Sequence, residues 1–589
     1  MMAKQPRIKS LAIERFRGIE GLDWRPEEGS NLLIGGGDSG KSTVLHAIAL
    51  LFSPTNSVQL LETDYFNRAT GNGFSIEAVV EIPAEVGIAD FQQALWPWLW
   101  NGKAAVLPDP DAEREPTDPV FRFRVRGTDE LELVWEVVQP NEDVATLSAG
   151  LRRKIGVVRL ANDDRNDRDL RLVTGSALDR LLSRGNLKSR INKQMSEANL
   201  STALLNEEKD ALKGLGAALE QAGLPHDLDL GLTSSQGLSI GALIGLLANK
   251  DGVMLPLASW GAGTRRMSAL EVAGATEAAT RLTVIDEIER GLEPYRLRQL
   301  IAKLAEEGNQ CFITTHSPVA IAAATDAALW FIDAKGKIGA LPRDKIAQQQ
   351  RRDPETFLAK LPIIAEGVTE VGFLRFLLRN AFVAAPEDHG IRVCDGGGSE
   401  AMLGLLLALR DAGLVLGAFC DDEGKSPGRW KSIGQALGPR FFQWRSGCLE
   451  ENIIAHVEDA DLLSLAYETD GSGGRRLRTL ADRLGLQAKD EASILAACGT
   501  AEQRFTKLRS IIVAAAIGDK EGAPDEQTGK DWAKHSQLWF KSMRGGRELA
   551  TKMVELGVWP KLEQELLAFV NALRATLRQP ALAPGMLKL

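Results

Sequence analysis

The sequence predicts an α/β fold made of two successive strand–helix alternations, with helices inserted into the first and trailing the second. Three observations predict it. Short apolar runs separated by Gly and polar turns, as in β-strands, fill Ile8 to Val80 and recur from near Gly252 to about Leu341. Between them, Leu181, Leu182, Leu187, Ile191, Met195, Leu200, Leu204, Leu205, Leu212, Leu215 and Leu219 repeat at helical spacing among charges. A further alternation starts at Leu361-Pro362-Ile363-Ile364 and lasts to about Ile453, after which the pattern is mainly helical.

This punctuation divides the chain into a first α/β part over 1–173, a helical insertion over 174–228 that reads as a hairpin, and a resumed α/β part over 229–345. Arg343 to Arg352 reads as a polar linker. A second α/β domain covers 346–455, a helical insertion 456–530 with a Gly- and charge-rich loop between Gly518 and Gly529, and a helical segment 531–589 ends the chain. At 589 residues the chain is too long for one core, and its 44% apolar and 25% charged residues are ordinary for a globular protein. No apolar run approaches the roughly 20 residues of a membrane span, and no signal-peptide pattern opens the chain, so a cytoplasmic location without membrane contact is expected. Cys311, Cys394, Cys420, Cys448 and Cys498 lie far apart and read as free thiols. The net charge of −9 argues against coating nucleic acid by bulk attraction. Arg475 to Arg478 and Lys541 to Arg547 could line a local basic groove, although solvated faces are the commoner reading of such runs. The aromatic stretch Leu95 to Trp100 reads as core packing or a subunit interface ahead of base stacking.

Gly35-Gly36-Gly37-Asp38-Ser39-Gly40-Lys41-Ser42-Thr43 fits a phosphate-binding loop between a predicted strand, Asn31 to Ile34, and a predicted helix, Val44 to Phe52. Its glycines let backbone N–H groups wrap a β-phosphate at a helix N-terminus; Lys41 would reach the β- and γ-phosphates and Ser42 would hold Mg²⁺. Leu282 to Ile285 is an apolar strand ending in Asp286, a Mg²⁺ partner through water, and Glu287, which would activate the attacking water. Cys311 to Thr315 forms another strand closed by His316, placed to contact a γ-phosphate. ATP with one Mg²⁺ is the expected ligand.

With Phe16-Arg17-Gly18 ahead of the loop, these strands resemble the RecF/SMC branch of ABC-type ATPases. Ser259-Trp260-Gly261-Ala262-Gly263 stands where that branch carries its Ser-x-Gly signature. In such ATPases the signature of one subunit completes the site of another, so the resemblance implies roles for Ser259 and Gly261 in a composite site, and a homodimer in which the helical insertion could take part. Gly37 stands where that loop usually has Asn, and no convincing Q-loop glutamine is found, which implies slow turnover or ATP as a switch.

In the second domain, Glu366 closes a strand and Glu370 follows four residues later, on one side of a helix. Ile391 to Cys394 leads into Asp395 and a Gly-rich turn, and Leu414 to Cys420 leads into Asp421-Asp422-Glu423. Parallel strands would bring these acids to one sheet edge, where they repel unless hard divalent cations, Mg²⁺ or Mn²⁺, sit between them.

This set resembles the Toprim domain, and its position behind a RecF-like ATPase resembles the OLD (overcoming lysogenization defect) nuclease family, above all the class of the Gabija nuclease subunit. The family's Asp-x-Asp appears here as Asp421-Asp422-Glu423, with Asp421 and Glu423 assigned as ligands ahead of Asp422. The resemblance implies a further acid, Glu450 or Glu451, and a lysine, for which Lys541 is chosen. It implies a DNA endonuclease or nickase working with two metal ions in anti-phage defence, as a homodimer or higher oligomer, with a UvrD-like helicase as a family partner. The alternative is a RecF/SMC-like, ATP-switched DNA-binding scaffold with an inert Toprim domain.

Overall fold

Apolar runs in the sequence become the buried strands of two separate sheets with parallel cores, one in each of two units, Met1–Arg343 and Asp344–Leu589. The computed structural model describes residues 5–83, 95–107, 119–160, 168–173, 176–182, 187, 190, 204–232, 244–275, 282–422, 424–467 and 474–587.

In the first unit, a sheet is ordered β2-β3-β4-β1-β5-β6, where β1 is Ser30–Gly35, β2 Val157–Leu160, β3 Leu282–Ile285, β4 Cys311–Thr314, β5 Ala328–Ile332 and β6 Ile338–Leu341. All neighbours are parallel except β5 and β6. The phosphate-loop helix α1, Lys41–Leu51, follows β1; its Val44 and Ile48 share a core with Val284 of β3 and with Ile13 and Phe74 of an eight-stranded antiparallel sheet. That second sheet keeps its charges on one face, where Arg124 and Arg126 of strand Pro119–Gly127 pair with Glu136, and Arg122 with Glu77. The aromatic stretch is divided by the fold. Trp98 is buried and donates its indole N–H to Val138 O at 2.8 Å, whereas Trp96 is 63% exposed.

The predicted helical insertion is described over Ala177–Leu181 and Asn206–Gln221, with Leu212, Leu215 and Leu219 buried as their spacing requires. Ile191, Met195 and Leu200 lie outside the described residues. Strand structure resumes at Asp229–Leu232, ahead of the strand-rich pattern expected from near Gly252, in a small sheet with Ile244–Lys250 and Val253–Pro256.

The linker expected over Arg343 to Arg352 is instead an α-helix, Arg343–Arg352, which buries Ile346, Gln349 and Gln350. Its polar composition hid it, because two of the three residues on the buried face are glutamines, and Gln349 donates to Thr356 Oγ1 at 2.7 Å. The second unit's sheet is ordered β8-β7-β9-β10, entirely parallel, with β7 Leu361–Ala365, β8 Ile391–Asp395, β9 Gly417–Cys420 and β10 Phe441–Gln443. β9 is shorter than expected: Leu414 to Leu416 precede it, with Leu414 N–H bonded to Leu409 O at the end of the preceding helix. Helix α3, Val368–Ala381, follows β7, and α4, Leu449–Ala455, follows β10. The C-terminal helices include α5 Gly474–Arg483, α6 Glu526–Leu538 and α7 Met543–Glu555. α6 starts inside the predicted loop, so the sequence boundary at 530/531 falls within a helix. α7 packs on α3 at backbone contact. A Cβ on Gly546 would lie 1.9 Å from Thr369 O, and one on Gly372 would lie 2.0 Å from Met543 O.

Candidate functional site

The first unit gathers its chemistry at the C-terminal edge of its sheet, where β1, β3 and β4 all end. Gly40 takes a left-handed conformation, φ 96°, to turn the loop into α1. Lys41 Nζ donates to Gly35 O and Gly36 O at 3.1 and 2.6 Å, and Ser39 Oγ donates to Gly36 O at 3.0 Å, so the loop closes on itself around its lysine. Burial pushes the Lys41 ammonium below its ordinary range, and Asp286, Asp38, Glu287 and Glu289 oppose that shift. Gly37, Asp38 and Ser42 are exposed, and Thr43 is half-buried on the first turn of α1.

Ser42 Oγ donates to Asp286 Oδ1 at 2.9 Å, and Thr314 Oγ1 donates to the same oxygen at 2.6 Å. The two predicted Mg²⁺ partners are therefore in direct contact across 244 residues of sequence. Glu287 follows with φ 48°, its N–H bonded to Thr314 Oγ1 at 2.8 Å. His316 is exposed at the end of the next strand. Its backbone N–H donates to Glu289 Oε1 at 2.7 Å, and Thr315 Oγ1 donates to Glu289 Oε2 at 2.7 Å. Sequence reasoning missed Glu289, which ties the histidine loop to the carboxylate loop. Its position two residues beyond Glu287 was the available signal. Ser259 donates to Pro256 O at 2.7 Å, and Gly261 caps helix α2, Ala262–Gly274. From α2, buried Arg266 donates to Asp286 O at 2.7 Å.

The second unit brings acids together from three strand ends. Its strand order reverses between β7 and β9, and Glu366 and Asp421 follow these two adjacent strands directly. Asp421 N–H donates to Glu366 Oε2 at 3.0 Å. Glu370, on the first turn of α3, is buried, and Glu450, on the first turn of α4, is fully buried. Burial, with Glu370, Glu366 and Glu450 adding repulsion, pushes Asp421 up to about 9; burial and Glu450 push Glu370 up to about 7. Lys541 Nζ stands 3.0 Å from Glu450 Oε1. Apart from that ion pair, no group among the described residues satisfies either Glu450 oxygen.

The choice between Glu450 and Glu451 has a geometric answer. Glu451 Oε2 accepts the Cys448 N–H at 2.7 Å and caps α4 from outside the cluster, so it is Glu450 that joins the other acids. Asp422 accepts from Gly424 N at 3.1 Å within its own turn, and Glu423 lies outside the described residues. Among the described residues no three His, Cys, Asp or Glu side chains already stand as a ready-made ligand group. A fully buried carboxylate whose one partner is the Lys541 ammonium, among acids that burial and then mutual repulsion push toward the neutral form, nevertheless fits a site for hard cations with oxygen ligands.

The basic run at Arg475 to Arg478 is no groove. Arg476 is buried and paired with Glu548 at 2.7 Å, and only Arg475 and Arg478 face outward.

Residues 130–322 match the family described as "AAA domain, putative AbiEii toxin, Type IV TA system". No curated protein matches the chain. Among solved structures, the Smc head domain with an extended coiled coil from Pyrococcus furiosus is 14% identical, covering 58% of this chain and 98% of its own with a TM-score of 0.37. The recombination mediator RecF, solved as RecF-ATPrS, is 15% identical and covers 58% of this chain and 99% of its own, with a TM-score of 0.36. The matched residues take in Asp286, Glu287 and His316, and Asp286 meets Ser42 of the phosphate-binding loop, which lies outside the match. No helix among the described residues is long and apolar enough to cross a membrane.

Proposed function

We propose that the protein is an ATP-controlled, metal-dependent DNA endonuclease or nickase of the OLD type, active in defence against phage. One observation carries the reading: Glu366, Glu370, Asp421 and Glu450 converge from separate segments on one sheet edge, with Lys541 as the cation beside them. Glu366, Glu370, Asp421 and Glu450, joined by Glu423 on the family resemblance alone, would hold two Mg²⁺ or Mn²⁺ ions. When bound, such ions supply a water of lowered pKa and charge neutralisation at a phosphodiester. Lys541 would then offset negative charge on the reacting phosphate, and Glu450 keeps its ammonium aimed into the site.

In the first unit, Ser42 and Asp286 would hold the Mg²⁺ that accompanies ATP. Lys41 would exchange its loop carbonyls for phosphate oxygens, Glu287 would orient water, and His316 would meet the γ-phosphate. Ser259 and Gly261 would complete the site of a second copy, so the working form is a homodimer or higher oligomer. DNA is the substrate, and a UvrD-like helicase is a partner implied by the family resemblance alone.

Full-length protein with Mg²⁺ or Mn²⁺ is expected to nick or linearise plasmid DNA, with the Glu366→Ala protein losing on the order of 10³-fold or more of the rate. Equal cutting by both proteins overturns the proposal. A second reading is an ATP-switched DNA-binding scaffold whose second unit is inert. It is favoured by the lack of a ready-made three-ligand group among the described residues. It predicts DNA binding that responds to ATP and to Lys41→Ala, with no cleavage under any metal.

A further inference from the structure

Lys541 sits on a stretch of chain that ought to be poorly held. Helix α6 ends at Leu538, Trp539 leaves it with φ −100° and ψ −103°, and α7 does not start until Met543. Trp539 and Phe540 are 3% and 0% exposed, so the carbonyls freed at the helix end lie away from water and need donors. Arg476 supplies them. From α5, Nε donates to Leu538 O at 3.0 Å and Nη2 to Trp539 O at 3.2 Å, while Nη1 reaches Leu465 O at 3.2 Å. The guanidinium lies 5.5 and 4.9 Å from the Trp539 and Phe540 ring centroids, and Glu548 of α7 neutralises it with two bonds of 2.7 and 2.8 Å. From the opposite side, Thr369, next to Glu370, donates its hydroxyl to Phe540 O at 3.2 Å.

We infer that Arg476 is the positioning residue for Lys541, fixing the short connection between α6 and α7 so that the ammonium meets Glu450. A lysine could carry the charge at position 476, but only the planar fork of arginine can serve two successive carbonyls and a carboxylate at once. Arg476 touches no acid of the cluster and acts through the carbonyls and rings of the connection that carries Lys541. The inference rests on the proposed nuclease reading for its catalytic meaning, and on the hydrogen bonds alone for its structural one.

Two readouts on the full chain separate these. The first is the acylation rate of individual lysines by an activated ester, followed by peptide mass spectrometry. Arg476→Lys is expected to raise the Lys541 rate by about tenfold, because the amine leaves its buried counter-ion. Lys530 and Lys534, whose side chains are 59% and 66% exposed, serve as references that keep their rates. The second is plasmid cleavage. Arg476→Lys is expected to lower kcat on the order of 10- to 100-fold with KM for DNA unchanged, the usual cost of a misplaced group. In a Lys541→Met background the same substitution is expected to cost little more, because the two act as one unit.

An unchanged Lys541 acylation rate overturns the inference, as does a loss in cleavage that multiplies fully with that of Lys541→Met. Acylation that changes as expected in a wild-type protein without cleavage leaves the inference standing and removes the nuclease reading. If all lysines speed up together, the variant has unfolded. Arg476→Gln, which keeps one amide donor, then takes its place, and Lys541 must again be the lysine that changes.

Discussion

The two candidate sites are built in opposite ways. The phosphate loop is one contiguous segment whose lysine, serine and glycines are satisfied by their own backbone and by Asp286 before any ligand arrives. The acid cluster is drawn from the ends of three strands, with its lysine from a fourth segment, and its members repel one another. The first is held by hydrogen bonds within its own loop and to Asp286, whereas the second gathers carboxyl groups whose charged forms are disfavoured by burial and then by one another. A site of the second kind depends on the rigidity of everything behind it, and that difference can be broken or sharpened by substitution.

The largest effect is expected where α3 and α7 touch. Gly546→Leu would drive a side chain into Thr369 O, which sits beside Glu370 on rigid backbone. It should cost about 3 kcal/mol or more of unfolding free energy in urea denaturation, with loss confined to the second unit's transition. An unchanged midpoint would mean the helices are not packed as described.

A smaller effect separates the first unit. His46 of α1 is half-buried between Arg17 and Arg159, 3.4 and 3.3 Å from its ring nitrogens, and desolvation with those two charges holds its pKa down at about 3 against an ordinary 6.5. The unfolded chain binds a proton below 6.5 that the folded one refuses, so stability falls as pH drops from 6.5 toward 3. At pH 5 the loss from this group should reach about 2 kcal/mol. His46→Gln should flatten that part of the stability profile; an unaltered slope contradicts the assignment.

The smallest effect concerns the burial of Glu370 beside Glu450. The raised pKa of Glu370, about 7 against 4.5, means that its charged form destabilises the fold, increasingly so as pH rises from 4.5 through 7. Glu370→Gln should therefore stabilise the metal-free protein at pH 8 by about 1 kcal/mol, the new amide's own burial offsetting part of the gain. It should also abolish any thermal stabilisation by Mn²⁺. A destabilised variant would show that the cluster is not under strain.

The difference between the sites also explains what the sequence made legible. A phosphate loop is written in nine successive residues, and the carboxylate and histidine strands announce themselves by apolar runs ending in Asp286-Glu287 and in His316. Glu366, Glu370 and Asp421 were legible for the same reason, since each follows an apolar strand. Glu450 could not be told from Glu451, because two adjacent acids on a first helical turn differ only in which one faces the sheet and which one caps. Arg476 was hidden in a basic run that reads as surface, since a buried arginine is declared by its partners Glu548, Leu538 and Trp539, all 60 or more residues away. The helix Arg343–Arg352 was missed because it buries glutamines, which carry no apolar period.

For the proposed chemistry, acids from distant segments of the second unit must meet closely enough to hold a pair of hard cations. Titration of nucleotide-free, full-length protein with Mn²⁺, read by electron paramagnetic resonance, tests it without need of substrate. A pair of bound ions per chain is expected, at least one of them lost in Glu366→Gln and in Asp421→Asn and both retained in Lys41→Ala. No bound Mn²⁺ in the absence of nucleotide, or binding indifferent to Glu366, would contradict the account.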